Sequence, residues 1–270
     1  RWVTYNTPMA GERQASAHTI VFQSRAGTPE LNCCSVNGPR ALGLLCEWAI
    51  MRRSDGLVVN YYGPGTIKTP DAVLTQTTDY PREGRVDITV TPRSKQPFTL
   101  ALRIPYWSEK TRVLLNGKPI KGVKAGSYCE ITRQWSKGDT VRIDLDFRPH
   151  YWVRATAAES VPESNVRRAS VYRGPLLLAY DPHYQSGDSA ELPVLDDTTL
   201  KLRRATDRRW LQPWLLLETM AADGSKVHLC DFASAGMAGT AYETWLPVAN
   251  APTSAKAPPS RPAPPRARAG

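Results

Sequence analysis

The stretch Phe98-Thr-Leu-Ala-Leu-Arg-Ile104 decides the fold class, because its large apolar residues recur at every second position. In a β-strand successive side chains point to opposite faces, so this period places the apolar residues on one face. A strand with one apolar face and one mixed face is typical of an antiparallel sheet that covers a single core. The stretch therefore predicts a β-sheet protein.

Two further runs on either side of this stretch repeat the alternation. Val86-Asp-Ile-Thr-Val90 precedes it, and Val141-Arg-Ile-Asp-Leu-Asp-Phe147 follows it. Between them, Leu115-Asn-Gly117 predicts a tight hairpin, because Asn-Gly readily adopts the positive φ angles that such a turn requires. Short strands separated by tight turns predict an antiparallel β-sandwich over residues 54–150.

A second β-rich block covers residues 151–250, and its clearest strand pair is Ala169-Ser-Val-Tyr-Arg-Gly-Pro-Leu-Leu-Leu-Ala-Tyr180. We expect a second β-sandwich here. Residues 251–270 are rich in Pro, Ala and Arg. Such a composition buries too little apolar surface to fold, so these residues are predicted to form a disordered basic tail.

One segment has helical spacing. Asn37 can cap a helix and Pro39 suits its first turn, and the apolar positions that follow at helical spacing are Leu42, Leu45, Cys46 and Ala49. We predict a helix over 37–53 that ends at Ser54-Asp-Gly56. Its wide apolar face has no helical neighbour, and the chain begins with Arg1 rather than Met. We therefore expect residues 1–53 to be the end of a larger helical domain.

Cys33 and Cys34 lie next to each other just before the predicted helix. A helix N-terminus favours a thiolate over a thiol, and two adjacent thiolates can share a soft metal such as zinc. A disulfide between neighbouring cysteines is strained. The alternative is that both are small buried hydrophobic residues at the start of the helix.

Composition excludes several classes of protein. The chain has 41% hydrophobic and 22% charged residues, and no apolar run approaches the length of a membrane span. Its formal charge of +10 includes four basic residues in the last twenty positions, and elsewhere acids and bases alternate, so we expect no nucleic-acid partner. The remaining cysteines, 46, 129 and 230, are predicted core residues, and reduced thiols favour the cytoplasm.

A series of short motifs resembles glycoside hydrolase family 127, the β-L-arabinofuranosidase-like group. The resemblance covers roughly residues 1–250 and corresponds to the C-terminal half of that family. In chain order the motifs are Cys33-Cys34-x2-Asn37-Gly38-x-Arg40, Gly56-Leu-Val-Val-Asn60, Asp79-Tyr-Pro81, Leu102-Arg-Ile-Pro-x-Trp-Ser108, Asn116-Gly117, Trp135-x2-Gly-Asp139 and Arg173-Gly-Pro175.

The resemblance implies a mainly β fold, with the end of an (α/α)6 barrel followed by two β-sandwiches. It also implies a retaining hydrolase with a zinc-bound cysteine thiolate as nucleophile, in contrast to the usual pair of carboxylates. By resemblance Cys33 is the nucleophile, Cys33 and Cys34 are zinc ligands, and Tyr5 in Tyr-Asn-Thr-Pro8 lines the sugar pocket. A half-buried structural tyrosine is the alternative for Tyr5. The resemblance implies a carbohydrate substrate as the partner and leaves open whether the protein forms a homodimer.

The chain also departs from the family pattern. The family's other zinc ligands form a Glu-x-Cys pair, and no such pair occurs in these 270 residues. The acid/base glutamate is likewise expected upstream, so we expect this chain to be inactive alone. A non-catalytic carbohydrate-binding or structural module is the alternative function, with Trp107, Trp135 and Trp152 as candidate sugar-stacking residues. A redox or zinc-handling role of the cysteine pair is a third.

Overall fold

The protein is described here from a computed structural model, which covers residues 8–13, 33–153, 165–186, 191–206 and 212–251, with residues 33–39 described by their backbone only. Tyr5, the apolar run at 19–22 and the basic tail lie outside the described residues. Within the described part the chain is mainly β, with one α-helix, which confirms the expected fold class.

The first half contains the helix and two sheets that share one core. Its elements are β1 (Ala10–Gly11), α1 (Cys33–Trp48), β2 (Ile50–Arg53), β3 (Gly56–Val59), β4 (Gly65–Lys68), β5 (Ala72–Thr78), β6 (Arg85–Pro92), β7 (Phe98–Ile104), β8 (Arg112–Leu115), β9 (Lys118–Pro119), β10 (Ser127–Arg133) and β11 (Asp139–Asp144).

Strands β2 to β11 form a sandwich of two sheets. One sheet has the order β10-β7-β3-β2 and the other β4-β5-β6-β11-β8-β9. Leu57, Leu100 and Leu102 from the first sheet and Leu74 and Ile143 from the second are fully buried in a common core. The alternation of apolar residues in the sequence predicted these inward faces, and burial confirms them.

The pairing in this first sandwich departs from the purely antiparallel arrangement that we expected. Strand β3 runs parallel to β7. Between them the chain crosses to the opposite sheet, builds β4, β5 and β6 there, and returns, so no hairpin links the two strands. A connection of this length permits parallel pairing. The predicted hairpin is confirmed: Leu115 pairs with Lys118, and Asn116 and Gly117 both have positive φ.

The prediction of a helix over 37–53 was wrong at both ends. The helix begins at Cys33 and ends at Trp48, and residues 50–53 form an edge strand that pairs antiparallel with β3. The turn at Ser54-Asp55 closes this hairpin, so the helix must stop earlier to allow it. Cys46 is exposed rather than buried, whereas Cys129 and Cys230 are buried as predicted.

The second half contributes nine strands to a ten-stranded sheet, and β1 is the tenth. Its elements are β12 (Pro149–Val153), β13 (Val166–Arg173), β14 (Leu176–Tyr180), a 3-10 turn (Pro182–Tyr184), β15 (Leu195–Asp196), β16 (Arg203–Arg204), β17 (Leu216–Met220), β18 (Lys226–Asp231), β19 (Tyr242–Glu243) and β20 (Trp245–Ala249). The main path runs β15-β20-β13-β14-β18-β17-β16, β12 pairs with β13, and β19 joins β14 to β1.

Strands β14, β17 and β18 are buried on both faces. Leu178, Leu217 and Leu229 belong to the core that the sheet encloses, together with residues of β13, β15 and β20. Ala179 and Cys230 point the opposite way, into a second and smaller core. We refer to residues 149–251 as the second sandwich, because strands from across this sheet share the larger core.

Phe147 lies at the junction between the two sandwiches. Its ring is in edge contact with Trp107 at 5.7 Å between centroids, and the guanidinium carbon of Arg173 lies 5.0 Å from its centroid. A Cβ at Gly84 or at Gly174 would lie 2.6 Å from this ring. Glycine at 84 therefore lets Phe147 pack within the first sandwich, and glycine at 174 lets the second sandwich approach the same ring, so the motif Arg173-Gly-Pro175 has a packing role.

Candidate functional site

The candidate site begins at the N-terminus of α1, where the first turn contains Cys33 and Cys34. The first N–H groups of a helix have no partner within it, and the helix dipole places partial positive charge at this end. The first turn of α1 contains no acidic residue that would oppose an anion. This local setting suits a thiolate. The positions of the two thiols themselves lie outside the described side chains.

The other end of α1 is fixed to the first sandwich by Asn60. The Asn60 side-chain amide donates to the Trp48 carbonyl at 3.0 Å, and its backbone N–H donates to the Ala49 carbonyl at 2.9 Å. Tyr128 on β10 donates its hydroxyl to Asn60 Oδ1 at 2.7 Å. These bonds satisfy carbonyl groups that a helix end leaves unpaired. The last residue of the motif Gly56-Leu-Val-Val-Asn60 therefore positions the helix that carries the cysteines.

The body of α1 makes few contacts with the rest of the described chain. Leu42 is 67% exposed, and Leu45 and Trp48 are 42% and 45% exposed. An exposed helix with three large apolar side chains has an incomplete set of packing partners. The unpartnered apolar face that the sequence predicted is thus present, although Cys46 on it is solvent-accessible.

Most of the other motif residues stabilise the first sandwich rather than line a site. The Trp135 indole N–H donates to the Phe98 carbonyl at 2.9 Å and the residue is 3% exposed. Asp139 accepts from the Ser136 N–H and from the Asn116 amide, both at 2.8 Å. These bonds lock two turns together at one end of the sandwich.

The tryptophans named as sugar-stacking candidates are largely engaged in packing. Trp135 is a core residue, and Trp107 stacks on His150 with ring centroids 6.0 Å apart and also contacts Phe147. Trp152 is 38% exposed and keeps an accessible face. The structure therefore weakens the carbohydrate-stacking argument for two of the three residues.

No group of three or more His, Cys, Asp or Glu side chains converges for metal binding among the described residues. The three histidines with described side chains have other surroundings: His150 stacks between Trp107 and Tyr172, His183 is in edge contact with Tyr184, and Nε2 of His228 lies 3.6 Å from a carboxylate oxygen of Glu218. Within the same residues, no helix has the length and apolar character needed to cross a membrane.

Comparison with known proteins identifies the first sandwich. Residues 56–147 match the family described as beta-L-arabinofuranosidase, GH127 middle domain. A solved structure described as a glycoside hydrolase is 25% identical over 91% of this chain and 44% of its own, with a TM-score of 0.70. Among curated proteins no sequence matches the chain.

Two solved GH127 enzymes share the fold at lower identity. A β-L-arabinofuranosidase from Geobacillus stearothermophilus T6 is 21% identical, with a TM-score of 0.66 over 80% of this chain and 37% of its own. A second, described as a β-arabinofuranosidase, is 22% identical, with a TM-score of 0.63 over 80% and 38%. The chain spans less than half the length of each of these relatives. The expected resemblance is confirmed: residues 56–147 match the GH127 middle domain, and the chain shares its fold with solved GH127 enzymes.

Proposed function

We propose that this chain is part of a retaining glycoside hydrolase that acts on arabinofuranosides or related sugars, with Cys33 as its nucleophile. The observation that carries the proposal is the position of the cysteine pair. The pair lies in the first turn of α1. Asn60 and β2 attach this helix directly to the segment that matches the GH127 middle domain. The names of the similar solved structures support arabinofuranosides as the substrate class.

Zinc is the cofactor that this donor set fits. Two adjacent thiols supply half of a tetrahedral site, and thiolates are preferred zinc ligands. The family's other two zinc ligands, a Glu-x-Cys pair, do not occur in these 270 residues. We therefore expect the 270 residues to be inactive alone. When bound, the metal would keep both thiols deprotonated at neutral pH.

The reaction proceeds by two displacements at the anomeric carbon. In the first displacement the Cys33 sulfur attacks this carbon, so that a C–S bond forms and the C–O bond to the leaving group breaks. The leaving oxygen takes a proton from the acid/base glutamate. In the second displacement the same glutamate deprotonates a water molecule, whose oxygen attacks the anomeric carbon and breaks the C–S bond. Two inversions give net retention. Tyr5 is proposed to line the sugar pocket, where its hydroxyl can bond a sugar oxygen.

Substitution of the proposed nucleophile tests this function. In the natural gene product that contains these residues, Cys33→Ser should abolish turnover of an aryl arabinofuranoside. Cys46→Ser is a matched control, because Cys46 is exposed on the same helix, and it should leave turnover unchanged. Full activity of the Cys33 variant would refute the nucleophile assignment.

Metal analysis tests the role of the second cysteine. Cys34→Ala should lower the zinc content of the purified protein, whereas Cys46→Ala should not. The measurement is zinc per protein by elemental analysis, with folding checked by circular dichroism. An unchanged zinc content in the Cys34 variant would rule out the ligand role.

A further inference from the structure

Two sequence motifs that have no part in the proposed reaction meet where the two sandwiches join. Asp79-Tyr-Pro81 lies in the loop between β5 and β6, and Arg173-Gly-Pro175 lies at the turn between β13 and β14. We call residues 79–84 the junction loop. Within it the backbone N–H groups of Arg82 and Glu83 donate to the Asp79 carbonyl at 2.9 and 3.2 Å. The loop therefore presents its side chains to the second sandwich from a hydrogen-bonded backbone.

Arg173 makes three contacts with the first sandwich. Its guanidinium donates to the Arg82 carbonyl and, at 3.0 Å, to the Glu83 carboxylate, and its central carbon lies 5.0 Å from the centroid of the Phe147 ring. Only 12% of the Arg173 side chain is exposed. A planar guanidinium that meets two acceptors and one aromatic face is held in one orientation. Because little water reaches it, salt screens this contact only weakly.

Arg204 on β16 forms a second and more exposed contact with the junction loop. Its Nη1 lies 3.2 Å from a carboxylate oxygen of Asp79 and 3.9 Å from one of Glu83. The side chains of Arg204, Asp79 and Glu83 are 48%, 39% and 40% exposed. Ion pairs this open to water add little stability and weaken as the salt concentration rises. The Arg204 contact should therefore respond to salt, in contrast to the Arg173 contact.

Arg82 crosses the junction in the opposite direction. Its guanidinium carbon lies 5.4 Å from the ring centroid of Trp214 in the second sandwich, and its Nε donates to the Asp79 carboxylate at 3.0 Å. Each of the two carboxylates in the junction loop therefore contacts two arginines. Charges that share partners in this way form a network, which holds its members more firmly than isolated surface pairs do.

We propose that these contacts lock the two sandwiches into one rigid unit, in which Arg173 is the anchor and Arg204 is a salt-sensitive latch. Relative motion is the default for two domains of one chain, and here the buried Arg173 supplies a fixed point between them. The second sandwich is then a fixed part of the protein, in contrast to a binding module on a flexible tether. This inference rests on the junction contacts alone and is independent of the proposed function.

The distribution of distances between the two sandwiches tests the lock. Spin labels are introduced as unnatural amino acids, which avoids the native cysteines, at the exposed positions Lys137 and Lys201 of the natural gene product. Double electron–electron resonance should give one narrow distribution. Arg173→Met should widen it about twofold or more, because domain motion returns when the interface is lost. A broad distribution in the wild type, or an unchanged width in Arg173→Met, would overturn the proposal.

Two further variants separate the lock from general damage to the fold. Glu83→Gln removes the ion pair to Arg173 with little change of shape, and it should widen the distribution in the same way. Arg203→Gln is the matched control, because Arg203 is exposed next to Arg204 on β16 and has no ion pair within the described part of the chain. Its distribution should stay as narrow as that of the wild type. Equal widening in Arg203→Gln would show that the effect does not come from the lock.

Salt distinguishes the latch from the anchor. A rise in NaCl from about 0.1 M to about 1 M shortens the Debye length from about 10 Å to about 3 Å. The wild-type distribution should then widen, but less than in Arg173→Met. Arg204→Gln should already have this width at the lower salt concentration and should widen no further. If salt widens the distribution of Arg204→Gln as much as that of the wild type, Arg204 is not the latch.

Discussion

The two sandwiches differ in which faces of their strands are buried. In the first, two sheets enclose one core. Outer strands such as β6 and β11 have a buried face and an accessible face, on which Arg142 and Asp87 pair at 2.9 Å, whereas the central strand β7 is also buried on its second face at Ala101. In the second, one sheet has strands buried on both faces, as Leu216 and Leu217 on β17 illustrate. The first sandwich buries neutral polar groups such as Gln76 and Ser108, and its carboxylate Asp139 is 8% exposed, whereas the second buries the carboxylates of Asp181 and Asp231 more deeply, at 1% and 2%.

This difference shows where each sandwich is vulnerable. The first depends on packing and on a hydrogen bond at its turns between the exposed Asn116 and the buried Asp139. The second depends also on two buried carboxylates, Asp181 and Asp231, which accept hydrogen bonds from buried backbone N–H groups. Damage to a buried polar group should therefore cost more than damage at an exposed turn.

The largest effect is expected from Asp231→Ala. The Asp231 carboxylate accepts from the backbone N–H groups of Leu215 at 2.9 Å and Ser234 at 3.1 Å, and its removal leaves both donors buried without a partner. We expect a loss of about 4 kcal/mol in the free energy of unfolding, measured by urea denaturation.

Asp223→Ala is the control for this prediction. Asp223 accepts from the Ser225 N–H at 2.8 Å in an exposed turn of the same sandwich, where water can replace it, so stability should hardly change. Equal losses for the two aspartates would show that burial does not distinguish the polar groups of the second sandwich.

A smaller effect is expected at the junction of the sandwiches. Gly174 has φ +57, and a Cβ there would lie 2.6 Å from the Phe147 ring. Gly174→Ala should therefore destabilise the protein by about 2–4 kcal/mol, from the backbone strain together with the clash.

Gly224→Ala separates these two contributions. Gly224 has φ +82, and a methyl group added there would meet nothing within 4 Å, so this variant reports the backbone strain alone. The difference between the two variants in thermal unfolding measures how tightly Phe147 joins the sandwiches. Identical shifts would mean that the junction yields to the extra methyl group without cost.

The smallest effect concerns pH and the first sandwich. Burial alone would raise the pKa of Asp139, but the Ser136 N–H, the Asn116 amide and Arg133 outweigh it, and the pKa is lowered from its usual 3.8. A lowered pKa contributes stability above the usual value, and this contribution is lost as pH falls through the lower folded value. Asp139→Asn should cost about 1 kcal/mol near neutral pH and make the acid loss of stability shallower. If the free energy of unfolding from urea denaturation falls equally steeply at low pH in both proteins, Asp139 does not contribute to the loss of stability in acid.

The sequence predictions also differ in accuracy between the first and the second sandwich. In the first sandwich the alternation in Phe98–Ile104 predicted the strand and its antiparallel pairing with β10, and Asn116-Gly117 predicted the hairpin. The parallel pairing of the same strand with β3 was not predicted, because it joins segments far apart in the chain. In the second sandwich Leu215-Leu-Leu217 carries no alternation, since both of its faces are buried, and pattern alone does not assign the faces. The helix was misplaced because a capping signal at Asn37 is weaker than the β2–β3 pairing that ends α1 at Trp48.

The amino-acid sequence by itself determined the β-sandwich class, the tight turns, the adjacent cysteines at a helix start and the GH127 resemblance, because all of these depend on residues close together in the chain. The tertiary structure alone decided that Asn60 fixes the end of α1, that Phe147 joins the sandwiches and that Tyr242 and Thr244 bind residues 8–13. These contacts join residues up to 235 positions apart. Local pattern holds no information on such pairs, since they form only when the whole chain has packed.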